Sequence, residues 1–303
     1  MVYPMTQIDF EKMFSTDENC TSYLNQLKYP DGYKCPKCGN DQSWLNSRNV
    51  NVCKLCRSET TITSGTIFHK SRLPLTTIFR AMWWIVAQKN GVSAKGLQRI
   101  LGIGSYETAW TWLHKFRRIM VISDRDKLSG DIEVDETLIG GRRSGKRGRG
   151  AEGKVLVLIS LEVKEVGTGR VRLAMIPNAS RKSINPFIKD NIIDQSVITT
   201  DGWNGYVDLT KMGYVHKISK DTIMSEGEEI LPNVHRVASL LKRWLLGTHQ
   251  SYMTTDHLQY YLDEFVFRHN RRKSKSRGLL FYTLVKQAVI NKPIEYNKIV
   301  THL

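Results

Sequence analysis

Asp131-Ile-Glu-Val-Asp-Glu-Thr-Leu-Ile139 and Val197-Ile-Thr-Thr-Asp-Gly-Trp203 are the two stretches that decide the fold. In the first, a period of two places Asp131, Glu133 and Asp135 on one face of a strand and Val134 on the other. The second is a short β-branched run that ends in Asp201, with Gly202 as the breaker. Two further strands, Val155 to Val163 and Val171 to Ile176, are joined by the turn residues Gly167 to Gly169. A helix over Ser183 to Asn191 leads into the strand Gln195 to Thr200, followed by another short helix. A strand near Tyr214 to Ile218 and a long helix from about Asn233 complete the pattern. Three strands, helix, strand, helix, strand, helix is the order of a ribonuclease-H-like α/β domain, expected over residues 128–292.

Aspartates at the ends of adjacent central strands can share a pair of divalent ions, as two-metal phosphoryl transfer requires. Taken singly, Asp135 and Asp201 are ordinary turn or cap residues; their joint position on this strand order makes them a candidate metal site. The long helix carries an apolar stripe of Val234, Val237, Leu241, Trp244 and Leu245. His235 and Lys242 lie seven residues apart, two turns, and so share a face beside that stripe. A metal-reaching imidazole and a phosphate-reaching cation then point the same way.

Upstream, Cys35-Pro-Lys-Cys38 and Cys53-Lys-Leu-Cys56 are separated by 14 residues. Two such knuckles supply four thiolates in a tetrahedron, the closed geometry of structural zinc. Residues 1–70 are therefore read as a zinc ribbon, with a strand-like run over Glu59 to Ile67 and Cys20 as a core thiol. Residues 71–122 are read as a helical, helix-turn-helix-like segment. Pro74 opens a helix, Ser93 caps a second that ends near Leu101, and Ser105 begins a third after Gly102-Ile-Gly104. Trp83, Trp84, Trp110 and Trp112 fall at helical spacing and read as core more readily than as base-stacking platforms.

Forty-five Lys and Arg against 29 Asp and Glu leave a net charge of +16, which favours a polyanionic partner, nucleic acid first. The excess sits in blocks, six basic residues in Gly141 to Lys154 and six in Arg268 to Arg277. Neither an apolar run long enough to span a bilayer nor a signal-like apolar start is visible, so a cytoplasmic, nucleoid-associated protein is expected.

Read together, the motifs resemble an insertion-sequence transposase of the DDE class, in the zinc-ribbon group called the IS-fifteen-ninety-five family. The resemblance runs through Tyr29-Pro-Asp-Gly-Tyr-Lys-Cys-Pro-Lys-Cys-Gly39, Thr63-Ser-Gly-Thr-Ile-Phe-His69 and Gly91-Val-Ser-Ala94. It continues through Ile132-Glu-Val-Asp-Glu-Thr137, Thr200-Asp-Gly-Trp203, Ser239-Leu-Leu-Lys242 and Gly247-Thr-His249. Tyr261-Leu-Asp-Glu-Phe265 and Phe267-Arg-His-Asn-Arg-Arg272 close it. The resemblance implies that Asp135 and Asp201 are the first two members of the catalytic triad. Most DDE enzymes place Glu third, followed seven residues on by Lys or Arg; here the position holds His235, with Lys242 at that spacing. Imidazole is a poorer ligand than carboxylate for Mg²⁺, so His235 stands either as the third ligand or as the group that positions or deprotonates the attacking water. Glu264 and the run Glu226, Glu228 and Glu229 are other carboxylates, none with a Lys seven residues on.

The expected protein binds the inverted repeats of an insertion sequence and catalyses metal-dependent strand cleavage and strand transfer. Structural Zn²⁺ and two catalytic Mg²⁺ or Mn²⁺ ions are its expected cofactors. Double-stranded DNA, as element ends and as target, is its expected partner, and a homodimer or larger assembly is implied because two ends must be joined. A non-catalytic zinc-ribbon regulator or decayed transposase is the competing reading, and a nuclease that cuts without joining is a third.

Overall fold

The computed structural model describes residues 2–48, 50–122, 125–140, 154–219, 231–250 and 255–300. Its contacts divide the chain into two compact units, Met1–Met120 with Ser274–Leu303, and Val121–Lys273.

The first unit opens with α1 (Gln7–Met13) and α2 (Asp17–Lys28). Thr6 begins α1 in a capping box, its hydroxyl accepting from the Asp9 amide while the Asp9 carboxylate accepts from the Thr6 amide. Three short strands, β1 (Ser43–Leu45), β2 (Asn51–Cys53) and β3 (Glu59–Thr60), form an antiparallel meander. The strand expected over Glu59 to Ile67 stops at Thr60, because Ser64, Thr66 and His69 bond back to carbonyls three residues earlier and make a chain of turns. Then come α3 (Leu75–Ala87), α4 (Ala94–Leu101) and α5 (Tyr106–Ile119). The Ser93 and Ser105 hydroxyls cap α4 and α5, and Gly102 ends α4 at φ +62°. Trp83 and Trp112 are buried, as core tryptophans should be, and Cys20 is a buried thiol pushed up to about 12 by burial.

In the second unit β4 (Asp131–Ile139) is the central strand. It pairs antiparallel with β5 (Val155–Val163), which pairs antiparallel with β6 (Thr168–Ile176). Strand β6 starts three residues before the expected Val171, since Thr168 already pairs with Val163. After α6 (Arg181–Asn191), β7 (Val197–Thr200) joins β4 in parallel and β8 (Val215–Ile218) joins β7 in parallel. The sheet order is β6-β5-β4-β7-β8, a ribonuclease-H-like arrangement. Helices α7 (Pro232–His249) and α8 (Thr255–Asn270) cover one face through Val237, Leu241, Leu262 and Phe265. The opposite face packs Ile132, Val134 and Ile198 against Ile184 and Ile188 of α6. Helix α8 also satisfies the outer edge of β6: the Asn270 amide both accepts from Val171 N and donates to its carbonyl, and Gln259 accepts from Met175 N.

The chain beyond Lys273 returns to the first unit as α9 (Arg277–Ile290) and α10 (Tyr296–Val300). The sequence reading carries the catalytic segment to residue 292, whereas Phe281 of α9 packs among Phe10, Phe14, Phe79 and Trp83. A five-membered aromatic cluster explains why this apolar helix groups with the N-terminal helices. Among the described residues, no helix is long and apolar enough to cross a membrane.

Candidate active site and zinc centre

The carboxylate site is built by strand register. On the β4–β7 pair Asp131 lies opposite Val197, Ile132 opposite Ile198 and Glu133 opposite Thr199. Continued two residues further, the same register brings Asp135 level with Asp201, just past the end of β7. Residues level on parallel neighbours share a face, here the one covered by α7. Asp135 is buried enough that desolvation raises its carboxyl above the usual range, with the nearby Asp201 charge adding to the rise. The Glu136 amide, 2.8 Å from Oδ1, and His235 pull it back. His235 Nε2 stands 3.2 Å from Asp135 Oδ2.

How α7 comes to deliver His235 is also in the contacts. Leu231 at its N-cap offers no side-chain acceptor. Instead Glu133, buried on β4, reaches across: Oε2 accepts from Val234 N at 2.7 Å and Oε1 from Asn233 Nδ2 at 2.8 Å. A carboxylate at a helix N-terminus is favoured by both the open amide and the helix dipole. Glu133 therefore fixes the residue immediately before His235. Sequence alternation put Glu133 on the site face but did not reveal this anchoring role, since the partners lie about a hundred residues apart. Lys242 is exposed two turns along α7.

Asp201 is held by a turn that depends on glycine. Its Oδ1 accepts from Trp203 N at 2.9 Å, and Gly202 takes φ +79°. A Cβ at Gly202 would sit 2.7 Å from Ile218 Cγ2, so neither the backbone angle nor the space admits a side chain. The Trp203 indole donates to the Ala179 carbonyl at 2.8 Å. Tyr206 lies fully buried next in the turn; burial first, then the charges of Glu136, Asp135 and Asp201, push its hydroxyl well above the usual range. Nothing in the sequence pattern singled out Tyr206.

Of the other carboxylates, Glu264 is fully buried on α8, and Arg271, seven residues on, lies over the Phe267 ring at 4.2 Å. Glu226, Glu228 and Glu229 lie outside the described residues, as does the basic loop up to residue 153. In the second basic block, Arg272 donates to the carbonyls of Gly169, Thr168 and His269. Arg271 and Arg272 thus hold the end of α8 and the β5–β6 turn, while Lys273 and Lys275 remain exposed.

The four cysteines of the ribbon converge. Their sulfurs all lie within 4.8 Å of one another, with Cys35–Cys56 and Cys38–Cys53 at 3.6 Å. Thiolates about 2.3 Å from a tetrahedral zinc are about 3.8 Å apart, so the cage has zinc dimensions. Burial opposes the Cys35 thiolate, but the Cys38 and Lys37 amides directed at its sulfur, together with the Cys38 and Cys56 thiols, outweigh burial and hold it at about 6. This is a preformed zinc-ribbon site. Among the described residues it is also the single group of three or more ligand side chains this tightly gathered; Asp135, Asp201 and His235 are more open. The two hard carboxylates suit Mg²⁺ or Mn²⁺, with the imidazole the weaker third donor.

Fold and site define a zinc-ribbon protein with a ribonuclease-H-like domain of the DDE type. Residues 127–270 match the family of the ISXO2-like transposase domain, and residues 15–59 match the transposase zinc-ribbon domain. The chain belongs to the IS1595 family of transposases. No curated protein is a significant match to it.

Proposed function

We propose that this transposase binds the inverted repeats of its own insertion sequence and performs both strand cleavage and strand transfer at one site, Asp135, Asp201, His235 and Lys242. The observation that carries the reading is the β4–β7 register, which levels Asp135 with Asp201 and meets His235 at 3.2 Å. The zinc ribbon and the α4–α5 pair read the element ends through base contacts, and exposed cations hold phosphates.

Asp135 and Asp201 would hold two divalent ions, Mg²⁺ or Mn²⁺, which when bound would neutralise charge on the attacking and leaving oxygens. His235, with Nε2 3.2 Å from Asp135 Oδ2, serves either as a third ligand or as the group that positions or deprotonates the attacking water. Lys242 contacts a phosphate beside the scissile bond. Water attacks phosphorus at the element end, the P–O3′ bond breaks and a 3′-OH is freed. That hydroxyl attacks a target phosphodiester and releases a second 3′-OH. Two ends joined in one event require a dimer or larger assembly on DNA.

The test is a Mg²⁺-dependent cleavage and strand-transfer assay on DNA that carries the repeats flanking the gene. Joined products that vanish in Asp201→Asn support the reading. Binding without any cutting in Mg²⁺ or Mn²⁺ leaves a non-catalytic DNA-binding protein, and cutting without joining leaves a nuclease.

A further inference from the structure

Beside Asp201 the second unit holds a cavity of about 680 Å³ whose role the cleavage site does not absorb. Leu138, Leu156, Ala179 and the Trp203 indole line it, and Lys154, Arg181 and Lys182 stand at it. Trp203 is 40 % exposed although its Nε1 is tied to the Ala179 carbonyl, so the ring is both fixed and presented. Gly205 makes this possible: a Cβ there would lie 2.6 Å from the Ala179 carbonyl oxygen and 2.9 Å from Trp203 Cδ1. Arg181 is set in place by Asn204 Oδ1 at 3.4 Å and by Asp208 at 3.8 Å.

The lining selects a ligand. A bare phosphate has no use for an apolar chamber, and an apolar ligand has no use for three cations. A nucleotide has a flat π face for the indole and a phosphate for the cations. The volume falls within the roughly 300–1,000 Å³ of small-ligand pockets, too small for a base pair still stacked in a duplex. Trp203 N is bonded to Asp201 itself, so the wall of the cavity and the carboxylate belong to one turn.

We propose that this cavity receives a single unstacked base of the DNA end, extruded next to the phosphate that is cut, with Trp203 stacking on the base and Lys182 and Lys154 on its flanking phosphates. The proposal rests on the DNA-processing reading above and adds that the end is distorted as it is bound. Extrusion costs least where the base is already unpaired, which gives a test by mismatch.

Full-length protein is titrated, in magnesium-free buffer, with end duplexes that each carry one mismatched pair, stepped across the cleavage position. One position next to the cut should bind about tenfold tighter than the matched duplex. The gain should disappear in Trp203→Ala and in Lys182→Glu, an exposed change that leaves the core intact, and should survive in Trp203→Phe. A flat scan with normal matched-duplex binding and cleavage overturns the pocket and leaves the transposase reading standing. A gain that persists in both Trp203→Ala and Lys182→Glu also overturns it. Failure to bind any end duplex overturns both.

Discussion

The Glu133 carboxylate of the central strand caps the helix that carries His235, accepting from the Val234 amide at 2.7 Å. Two residues further along the same strand, Asp135 meets His235 at 3.2 Å. Strand and helix are thus locked twice within one turn, once through a backbone amide and once through an imidazole. Glu133→Ala leaves the Val234 amide without its acceptor and should destabilise the protein by about 1–3 kcal/mol in urea unfolding. It should also lower cleavage, through loss of placement of His235, while DNA-end affinity stays within about twofold. Unchanged cleavage would show that α7 is held elsewhere.

Asp135→Asn and Asp201→Asn remove charge with little change of shape. Each should reduce strand cleavage by about a thousandfold or more, the loss of several kcal/mol of transition-state stabilisation, with end binding in gel shift largely intact. Normal cleavage by either variant removes the assigned site.

His235→Glu places a carboxylate at the third position, the commoner pattern among DDE enzymes, and should retain measurable cleavage in Mg²⁺. Complete inactivity with normal folding and binding assigns a role that only the imidazole fills, such as accepting the proton of water.

The turn after β7 is sensitive at one glycine. Gly202→Ala forces a Cβ against Ile218 in a backbone conformation with φ +79°. A loss of about 1–3 kcal/mol in stability is expected, accompanied by reduced cleavage because Asp201 is displaced. A wild-type unfolding midpoint would contradict it.

Chelation should open the ribbon before the rest of the chain, since structural zinc contributes folding energy directly. Hydrogen exchange should rise first over residues 43–60, and Cys38→Ser should reproduce the effect without a chelator. Protection that persists after verified zinc loss would argue against the four-thiolate site.

Burial pushes Asp263 on α8 up to about 6, against the pull of Gln259 and Arg125. A carboxyl raised in the fold binds more protons in the native than in the unfolded chain. Its contribution is therefore complete below 3.8, the unfolded value, and is lost as pH rises through about 6. Asp263→Asn, which can still accept from Gln259, should remove that loss and improve stability at pH 7 relative to pH 4 by up to about 3 kcal/mol. His269, pushed down to about 4 by burial, acts in the opposite sense over the same range, so the single variant is compared with wild type across pH by urea unfolding. Equal pH slopes would mean that Asp263 does not titrate in that window.

Local features were legible in the linear order of residues. The period of two in Asp131–Ile139, the CxxC spacing, the serines that cap α4 and α5, and the seven-residue step from His235 to Lys242 all express geometry repeated every few residues. Those rules held wherever neighbours along the chain supply the partners, and with the family resemblance they carried the class of protein. They faltered where pairing or turns set the limits, at the end of β3 and the start of β6. It took the packed chain to show that Glu133 caps α7, that Arg271 and Arg272 serve their own fold, and that α9 packs with the N-terminal helices. The packed chain alone shaped the open cavity beside Trp203 from β4, β5, the loop before α6, the start of α6 and the turn after β7. The partners in these contacts are brought together by the sheet and the core, and a buried charge or an open amide takes whichever group that packing puts within reach. No periodicity along the chain encodes that choice.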